Sequence, residues 1–287
     1  MNAADRLRAL LAPGQPIVRA PGAYDSVTAR IVEQAGFPAI YMTGFGATAS
    51  RLGLPDIGLL TQTEMTEHAR NMVRATTVPV IADADTGYGG PSNIHRTVEE
   101  YIQAGVAAIH LEDQVAPKRC GQLSGIRLMA ADESARRVEA ALAARGTESL
   151  LVIARTDALG ATGREDAIDR AKRYRDAGAD LMFVDGVKTR ADIDYVAEHL
   201  DGPKVASLVD GTDAATLTAH DLQQRGFSLV FYALTALFSA VTAVRQSLRE
   251  LHDTDTIPVR PSTITYADYS ELVGLGFHQE LDSRYGA

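Results

Sequence analysis

The stretch DADTGYGG, residues 83–90, ends an apolar run with two carboxylates two positions apart and then three glycines. Successive side chains of a strand point to opposite faces, so residues two apart share one. Asp83 and Asp85 are therefore expected to look into the same space, with Glu112 as a third acidic neighbour at the end of the next apolar run. Hard oxygen ligands gathered in a small volume select Mg²⁺, or Mn²⁺, with waters completing the coordination. The competing reading is that the aspartates cap helices or solvate a turn, where Asp and Gly abound. Three acids at adjoining strand ends weigh against it, because like charges repel and call for a cation. Gly87, Gly89 and Gly90 would let backbone pass close to a bound group.

Cys120 stands in PKRCG, beside Lys118, Arg119 and Gly121. Neighbouring cations are expected to lower a thiol's pKa and raise its thiolate fraction. A lone cysteine is more often an inert small hydrophobe. The long segment Leu111 to Met129 that carries this one favours function, since long structured loops in compact domains are commonly lids or binding elements. Arg155 closes the apolar run LLVIAR, where a buried guanidinium needs an anionic partner. That partner is either Asp157 or Asp185, in a structural pair, or a substrate carboxylate held bidentately. The two are compatible.

Gly44, Gly46 and Ala49 in TGFGATA match a loose dinucleotide fingerprint, but Pro55 in RLGLPDIGLL is expected to break the helix that fingerprint must open. The N–H groups of that loop suit a carboxylate instead. The seven histidines show no HExxH spacing and no GxSxG elbow is present, which removes zinc hydrolases and serine esterases. His110, inside an apolar run, reads as packing or as support for a neighbouring site residue.

The elements that must position these residues follow one grammar. In EQAGFPAIYM, IQAGVAAIHLE, RDAGADLMFV and QQRGFSLVFY a helical segment reaches a glycine and an apolar run follows, so Gly36, Gly105, Gly178 and Gly226 read as helix C-caps. Apolar runs from Pro16, Val78, Leu150 and Pro203 bring the strands to about eight. Helical patterns over 25–34, 63–76, 92–103, 132–145, 164–177, 189–199, 213–224 and 233–251 separate them. Such alternation implies a parallel sheet with crossover helices, and eight repeats favour a closed (β/α)8 TIM barrel in one domain, 1–287, with a helical extension from about 252. Chemistry then belongs to the loops at strand C-termini, where Thr43, Asp83, Asp85, Glu112, Arg155, Asp185 and Ser207 collect.

A formal charge of −9 disfavours nucleic acid and anionic membrane surfaces, which need clustered Lys and Arg. One cysteine allows no internal disulfide, and no secretory or membrane-spanning run is present, so a cytoplasmic protein is expected.

In order, PGAYDSVTARIVEQAGFPAIYMTG, LGLPDIGLLT, DADTGYG, LEDQVAPKRCG and ARTDA resemble the isocitrate lyase/phosphoenolpyruvate mutase superfamily, among its methylisocitrate lyase, dimethylmalate lyase and carboxyphosphonoenolpyruvate mutase types. The resemblance implies Mg²⁺ at Asp83 and Asp85, with Glu112 near through water. It implies catalytic roles for Lys118, Cys120 and Arg155, and a small anionic 2-hydroxy or 2-oxo acid substrate. Tyr41, Thr43, Gly44, Phe45, Asp56, Gly121, Arg155 and Asp185 would surround that substrate. It further implies a homotetramer, built as a dimer of dimers, with the eighth helix exchanged between subunits. Lyases of this kind cleave a C–C bond and use the loop cysteine as general acid, whereas C–P mutases and hydrolases typically lack it. Oxaloacetate decarboxylation, or C–P bond mutase or hydrolase chemistry, is the alternative activity, and a barrel drifted into metal or ligand binding the non-enzymatic one. The sequence departs from the lyase pattern at Gln122, where His is common, at Asp185, where Glu is usual, and at Ser207 in place of Asn. Phe238 and Tyr266 stand where methylisocitrate lyases place arginines, so a tricarboxylate lacks its cations and a smaller diacid is expected.

Overall fold

A computed structural model describes residues 1–260 and 263–286 of the chain. Three positions of the expected C-terminal extension, Pro261, Ser262 and Ala287, lie outside the described residues. Eight parallel strands close into a barrel in sequence order: β1 Val18–Ala23, β2 Ile40–Met42, β3 Val80–Asp83, β4 Ala108–Glu112, β5 Leu151–Thr156, β6 Leu181–Val184, β7 Lys204–Leu208 and β8 Leu229–Tyr232. The helices are α1 Ala3–Leu10, α2 Ser26–Gln34, α3 Gly44–Leu52, α4 Gln62–Ala75, α5 Pro91–Ala104, α6 Ala131–Arg145, α7 Ala158–Ala161, α8 Arg164–Asp176, α9 Arg190–His199, α10 Ala219–Gln224, α11 Thr235–Thr254, α12 Tyr266–Leu272 and α13 Leu275–Tyr285. Among the described residues, no helix is long and apolar enough to cross a membrane.

Local chemistry explains most boundaries. Gly36, Gly105, Gly178 and Gly226 take φ of 80°, 84°, 100° and 77°, the left-handed turn that ends a helix and redirects the chain into the next strand. The single helix expected over 213–224 is instead a 3₁₀ turn, Ala214–Thr216, and then α10. Thr218 caps α10 by accepting from Asp221 N–H, while Asp221 Oδ2 accepts from Thr218 N–H at 2.8 Å, and this capping box restarts the helix. The helix that Pro55 was expected to prevent does form, as α3. The proline acts only on the residues just before it, so the nine residues 44–52 are free to coil until Gly53, at φ 64°, stops them.

Strand alternation divides the interior. Tyr41, Ile81, Ala108, Ile153, Phe183, Val205 and Phe231 fill the barrel lumen, while Ile40, Met42, Val80, Ala82, Ile109 and Val152 face the helices. Near the open end, Tyr41 stacks on Phe231 at 4.0 Å, and Phe183 meets Phe231 edge-on at 5.7 Å. These rings exclude water and form the floor on which the site rests, each contributing roughly 1.5–3 kcal/mol by burial.

Candidate active site

The phase of the alternation aims the site. Two residues beyond each lumen-facing position stand Thr43, Asp83, His110, Arg155, Asp185 and Ser207, with Glu112 two beyond His110, so all point into the mouth of the barrel. Strand register sets Asp83 beside His110 and Glu112 beside Arg155. Tyr41, Thr43, Phe45, Asp56, Asp83, Cys120, Gly121, Arg155 and Asp185 line one cleft. Gln122, Phe183, Ser207, Val209, Ala233 and Leu234 complete it. The last three carry no sequence signal beyond their place at the ends of β7 and β8.

Asp85 is brought in differently from the expectation. The strand stops at Asp83, and Asp85 takes φ 45°, so the pleat no longer aims its carboxylate. The turn does: Asp85 N–H donates to Asp83 Oδ1 at 2.8 Å, and Asp85 C=O accepts from Glu112 N–H at 2.9 Å. Gly87 serves this turn, since it takes φ 79° and a Cβ there would strike Ile94. Gly90 has open space around it and an ordinary φ of −77°.

Lys118 enters beneath the loop. Its Nζ lies 2.7 Å from Asp56 Oδ1 and 2.8 Å from Asp85 Oδ1, and only 4% of its side chain is exposed. Burial alone would lower its pKa, but Asp85, Glu112, Asp56 and Asp83 raise it well above the ordinary value, so Lys118 is a fixed cation. Burial pushes Asp85 up; Lys118 pulls it back, Asp83 pushes again, and it settles at about 6. Burial also raises Asp83, yet His110, Lys118, Arg155 and the Asp85 N–H outweigh it and hold that carboxylate at about 2. His110 is fully buried, lowered to about 4 chiefly by desolvation, and so neutral at pH 7. It contacts Tyr41 Oη at 3.0 Å, and its Nδ1 lies 3.7 Å from Asp83 Oδ1, too far for a hydrogen bond.

Arg155 makes the structural pairs in full. Nε and Nη2 donate to Asp157, and Nη2 lies 2.6 Å from Asp185 and 3.4 Å from Glu112. One guanidinium cannot neutralise three buried carboxylates, and burial leaves Glu112 and Asp185 above their usual range. Gly121 packs on this cluster so closely that a Cβ there would strike Asp185, Asp157 and Arg155.

The thiol of Cys120 is the opposite of the reactive thiolate expected from its neighbours in sequence. Lys118 turns inward to Asp56 and Asp85, and Arg119 turns outward toward Ser124 C=O. Burial, with Asp185 and Asp56 adding to it, pushes Cys120 up to about 11. A thiol raised this far is protonated at pH 7.

The N-terminus of α3 also faces the cleft. Asp83 Oδ2 accepts from Gly44 N–H at 3.2 Å, and Thr43 Oγ1 accepts from Gly46 N–H, which leaves the Phe45 N–H for a ligand. Asp83 thus occupies the glycine turn where a dinucleotide would need room. Tyr266 is 85% exposed at the start of α12 and does not line the cleft, while Phe238 stands edge-on to Phe45 at 6.4 Å.

Residues 7–252 match the phosphoenolpyruvate phosphomutase family. The chain is 38% identical over 286 residues to a 2,3-dimethylmalate lyase of Eubacterium barkeri, covering 99% of both chains. The chain belongs to the PEP mutase/isocitrate lyase superfamily. A 2-methylisocitrate lyase of Halalkalibacterium halodurans is 39% identical over 253 residues, 88% of this chain and 83% of its own. Among solved structures of superfamily members, oxaloacetate acetylhydrolase with 3,3-difluorooxalacetate superposes with a TM-score of 0.93 at 36% identity, covering 100% of this chain and 98% of its own. Phosphonopyruvate hydrolase, in a complex with oxalate and Mg²⁺, superposes at 0.89 with 31% identity, covering 99% of both.

The donor set suits the metal that such a complex contains. Among the described residues no three His, Cys, Asp or Glu side chains form a ready metal cage. Mg²⁺ needs only one or two carboxylates, however, and keeps its waters. Both Glu112 oxygens are buried without a hydrogen-bond partner, with Arg155 Nη2 3.4 Å away as a charge, and Asp85 Oδ1 has Lys118 Nζ at 2.8 Å. The unpartnered Glu112 oxygens, close to the carboxylates of Asp83 and Asp85, are a fit for a hard divalent cation.

Proposed function

We propose that this protein is a divalent-metal-dependent carbon–carbon lyase acting on a small 2-hydroxy dicarboxylate, which it cleaves to a 2-oxo acid such as pyruvate or glyoxylate and a second carboxylate. The observation that carries this reading is the division of the cleft. The ends of β3 to β6 and their loops bear Asp83, Cys120, Arg155 and Asp185, and the ends of β7, β8 and β2 bring only uncharged side chains, Val209, Ala233, Leu234 and Phe45 with the hydroxyls of Ser207 and Thr43.

Mg²⁺, or Mn²⁺, held by Asp83 and Asp85 with Glu112 nearby, would supply Lewis-acid stabilisation of negative charge on the substrate's oxygens. The residues of the chain do the rest. The Phe45 N–H at the positive end of α3 receives a substrate carboxylate. When a base takes the proton of the substrate's 2-hydroxyl, the C–C bond breaks in the retro-aldol sense and the hydroxyl carbon becomes the 2-oxo carbon. The bonding pair collects on the departing fragment as an enediolate, which the Arg155 guanidinium faces without needing to reorganise. Cys120, protonated and opposite, gives its proton to the carbon. Lys118 holds the cysteine's loop down on Asp56 and Asp85.

The side that lacks a cationic side chain bounds the substrate. A third carboxylate there would be buried without a partner, whereas an alkyl group fits. A panel of malate, an alkyl-substituted malate and a methylisocitrate-like tricarboxylate tests this by 2-oxo acid release. The expected kcat/KM is highest for the alkylated diacid, by about 10-fold or more over malate, with the tricarboxylate lowest. Oxaloacetate consumption without any C–C cleavage of hydroxy acids would favour the activity of the acetylhydrolase-like neighbour, and metal binding without turnover of any member would favour a ligand-binding barrel.

We also read α11, a helix of 20 residues with none buried, as the element exchanged between subunits of a homotetramer built from two dimers. Phe238, Val241, Val244, Leu248 and Leu251 form its exposed apolar stripe. The absence of any disulfide pair is consistent with a cytoplasmic setting.

A further inference from the structure

Gln114 is an uncharged amide, 1% exposed, between the acid-bearing end of β4 and the loop that carries Cys120. A buried carboxamide has two donor hydrogens and an acceptor to satisfy, and here all are used on two different parts of the molecule. Its Nε2 donates to Arg119 C=O at 2.7 Å and to Asp157 Oδ2 at 3.1 Å, and its Oε1 accepts from Arg119 N–H at 2.9 Å. Arg119 is therefore grasped through both of its backbone groups, and the same side chain is anchored on the carboxylate that orients Arg155. Asp157 is itself fixed, since its N–H donates to Asp113 Oδ1 at 3.0 Å. Asp113 in turn accepts from Thr156, Arg170 and Tyr174.

The base of the loop is closed separately, by the antiparallel bridge between Gln114 and Leu128 and by Met129 N–H on Asp113 C=O. At the tip, Lys118 and the Cys120 N–H tie the loop to Asp56, on the segment after α3. Gln114 supplies the tie on the opposite side of the cleft, toward β5. With both ties made, Cys120 and Gly121 stand against Asp185 and Arg155.

We infer that Gln114 is a positioning residue that latches the Lys118–Cys120 segment to the Asp157–Arg155 pair, so that the proton donor and the guanidinium are held in register with each other. This rests on the lyase reading for its consequence in catalysis, but not for its geometry. Arg119 acts through its backbone alone, and its exposed side chain is dispensable.

The test uses the one cysteine of the chain as its own reporter. Iodoacetamide alkylation of Cys120 in the full-length protein needs no substrate. Gln114→Leu, which keeps bulk and removes the amide, is expected to raise the alkylation rate, and to lower kcat on the best diacid with a smaller change in KM, each by roughly 10- to 100-fold for kcat and alkylation. Gln114→Glu, which sets a carboxylate against Asp157, is expected to do the same. Arg119→Ala is expected to leave both readouts at the wild-type level. Hydrogen exchange, with fastening lost at residues 115–123 and retained in the barrel strands, separates unlatching from unfolding. Unchanged alkylation and exchange in folded Gln114→Leu protein would overturn the latch, whatever the enzyme assay shows. Absence of turnover in wild type, with alkylation altered as expected, would instead count against the lyase reading and leave the latch standing.

Discussion

Cys120→Ser is expected to lower C–C cleavage by about 10²- to 10⁴-fold, the range for loss of a positioned general acid. Serine keeps the size and the backbone tie to Asp56 but offers a hydroxyl that gives up its proton far less readily. KM should change little, because the thiol meets the fragment only after the bond has opened. The wild-type pH profile carries the same information with a defined sign. The donor works while protonated, so activity is present below its pKa and lost as pH rises through it. With the thiol pushed up to about 11 by burial, the alkaline limb should lie well above the ~8.5 of an ordinary cysteine. A limb near ~8.5 would contradict the burial shift, and near-normal cleavage by Cys120→Ser measured under single turnover would remove the cysteine from the mechanism.

Arg155→Met should be the most damaging single change to both stability and rate. The guanidinium is 6% exposed and is the shared cation of Asp157, Asp185 and Glu112, so its loss strands buried charge. Breaking a buried pair by removing one partner costs roughly 3–5 kcal/mol, read as a fall in the urea midpoint, and removing a donor from developing charge costs a further ~10²-fold or more in kcat. Arg155→Lys should recover little of either, because an ammonium cannot serve Asp157 through two nitrogens while also reaching Asp185. Restoration of full stability by lysine would show that the fork geometry is dispensable.

The barrel was legible because its signals are local and repeated: a glycine after each of four helices, then an apolar run whose alternate residues face the lumen. That same alternation made Thr43, Asp83, Glu112, Arg155, Asp185 and Ser207 readable as one rim. Chain direction past the strand ends was not legible. Asp85 reaches the site through a left-handed turn rather than the pleat, and α3 forms because proline restrains only its immediate predecessors. The charge environment of Cys120 was misjudged for a related reason: adjacency in sequence placed two cations beside the thiol, whereas the fold sends Lys118 inward to Asp56 and Asp85 and Arg119 out to solvent. Gln114 could be quoted as part of LEDQ but not assigned, since a buried amide declares itself only when its three partners are in place. The apolar wall of Val209, Ala233 and Leu234 depends likewise on which strand ends become neighbours when the sheet closes.

The most direct measurement is release of a 2-oxo acid from an alkyl-substituted malate by the purified protein, with Mg²⁺ present, after EDTA, and after Mg²⁺ is restored. The expected result is release matched one to one by the second carboxylate product, abolished by the chelator and recovered with the metal. Release that EDTA leaves untouched, or Mg²⁺ uptake with no product from any hydroxy diacid, would contradict the assignment of a metal-assisted carbon–carbon cleavage to this cleft.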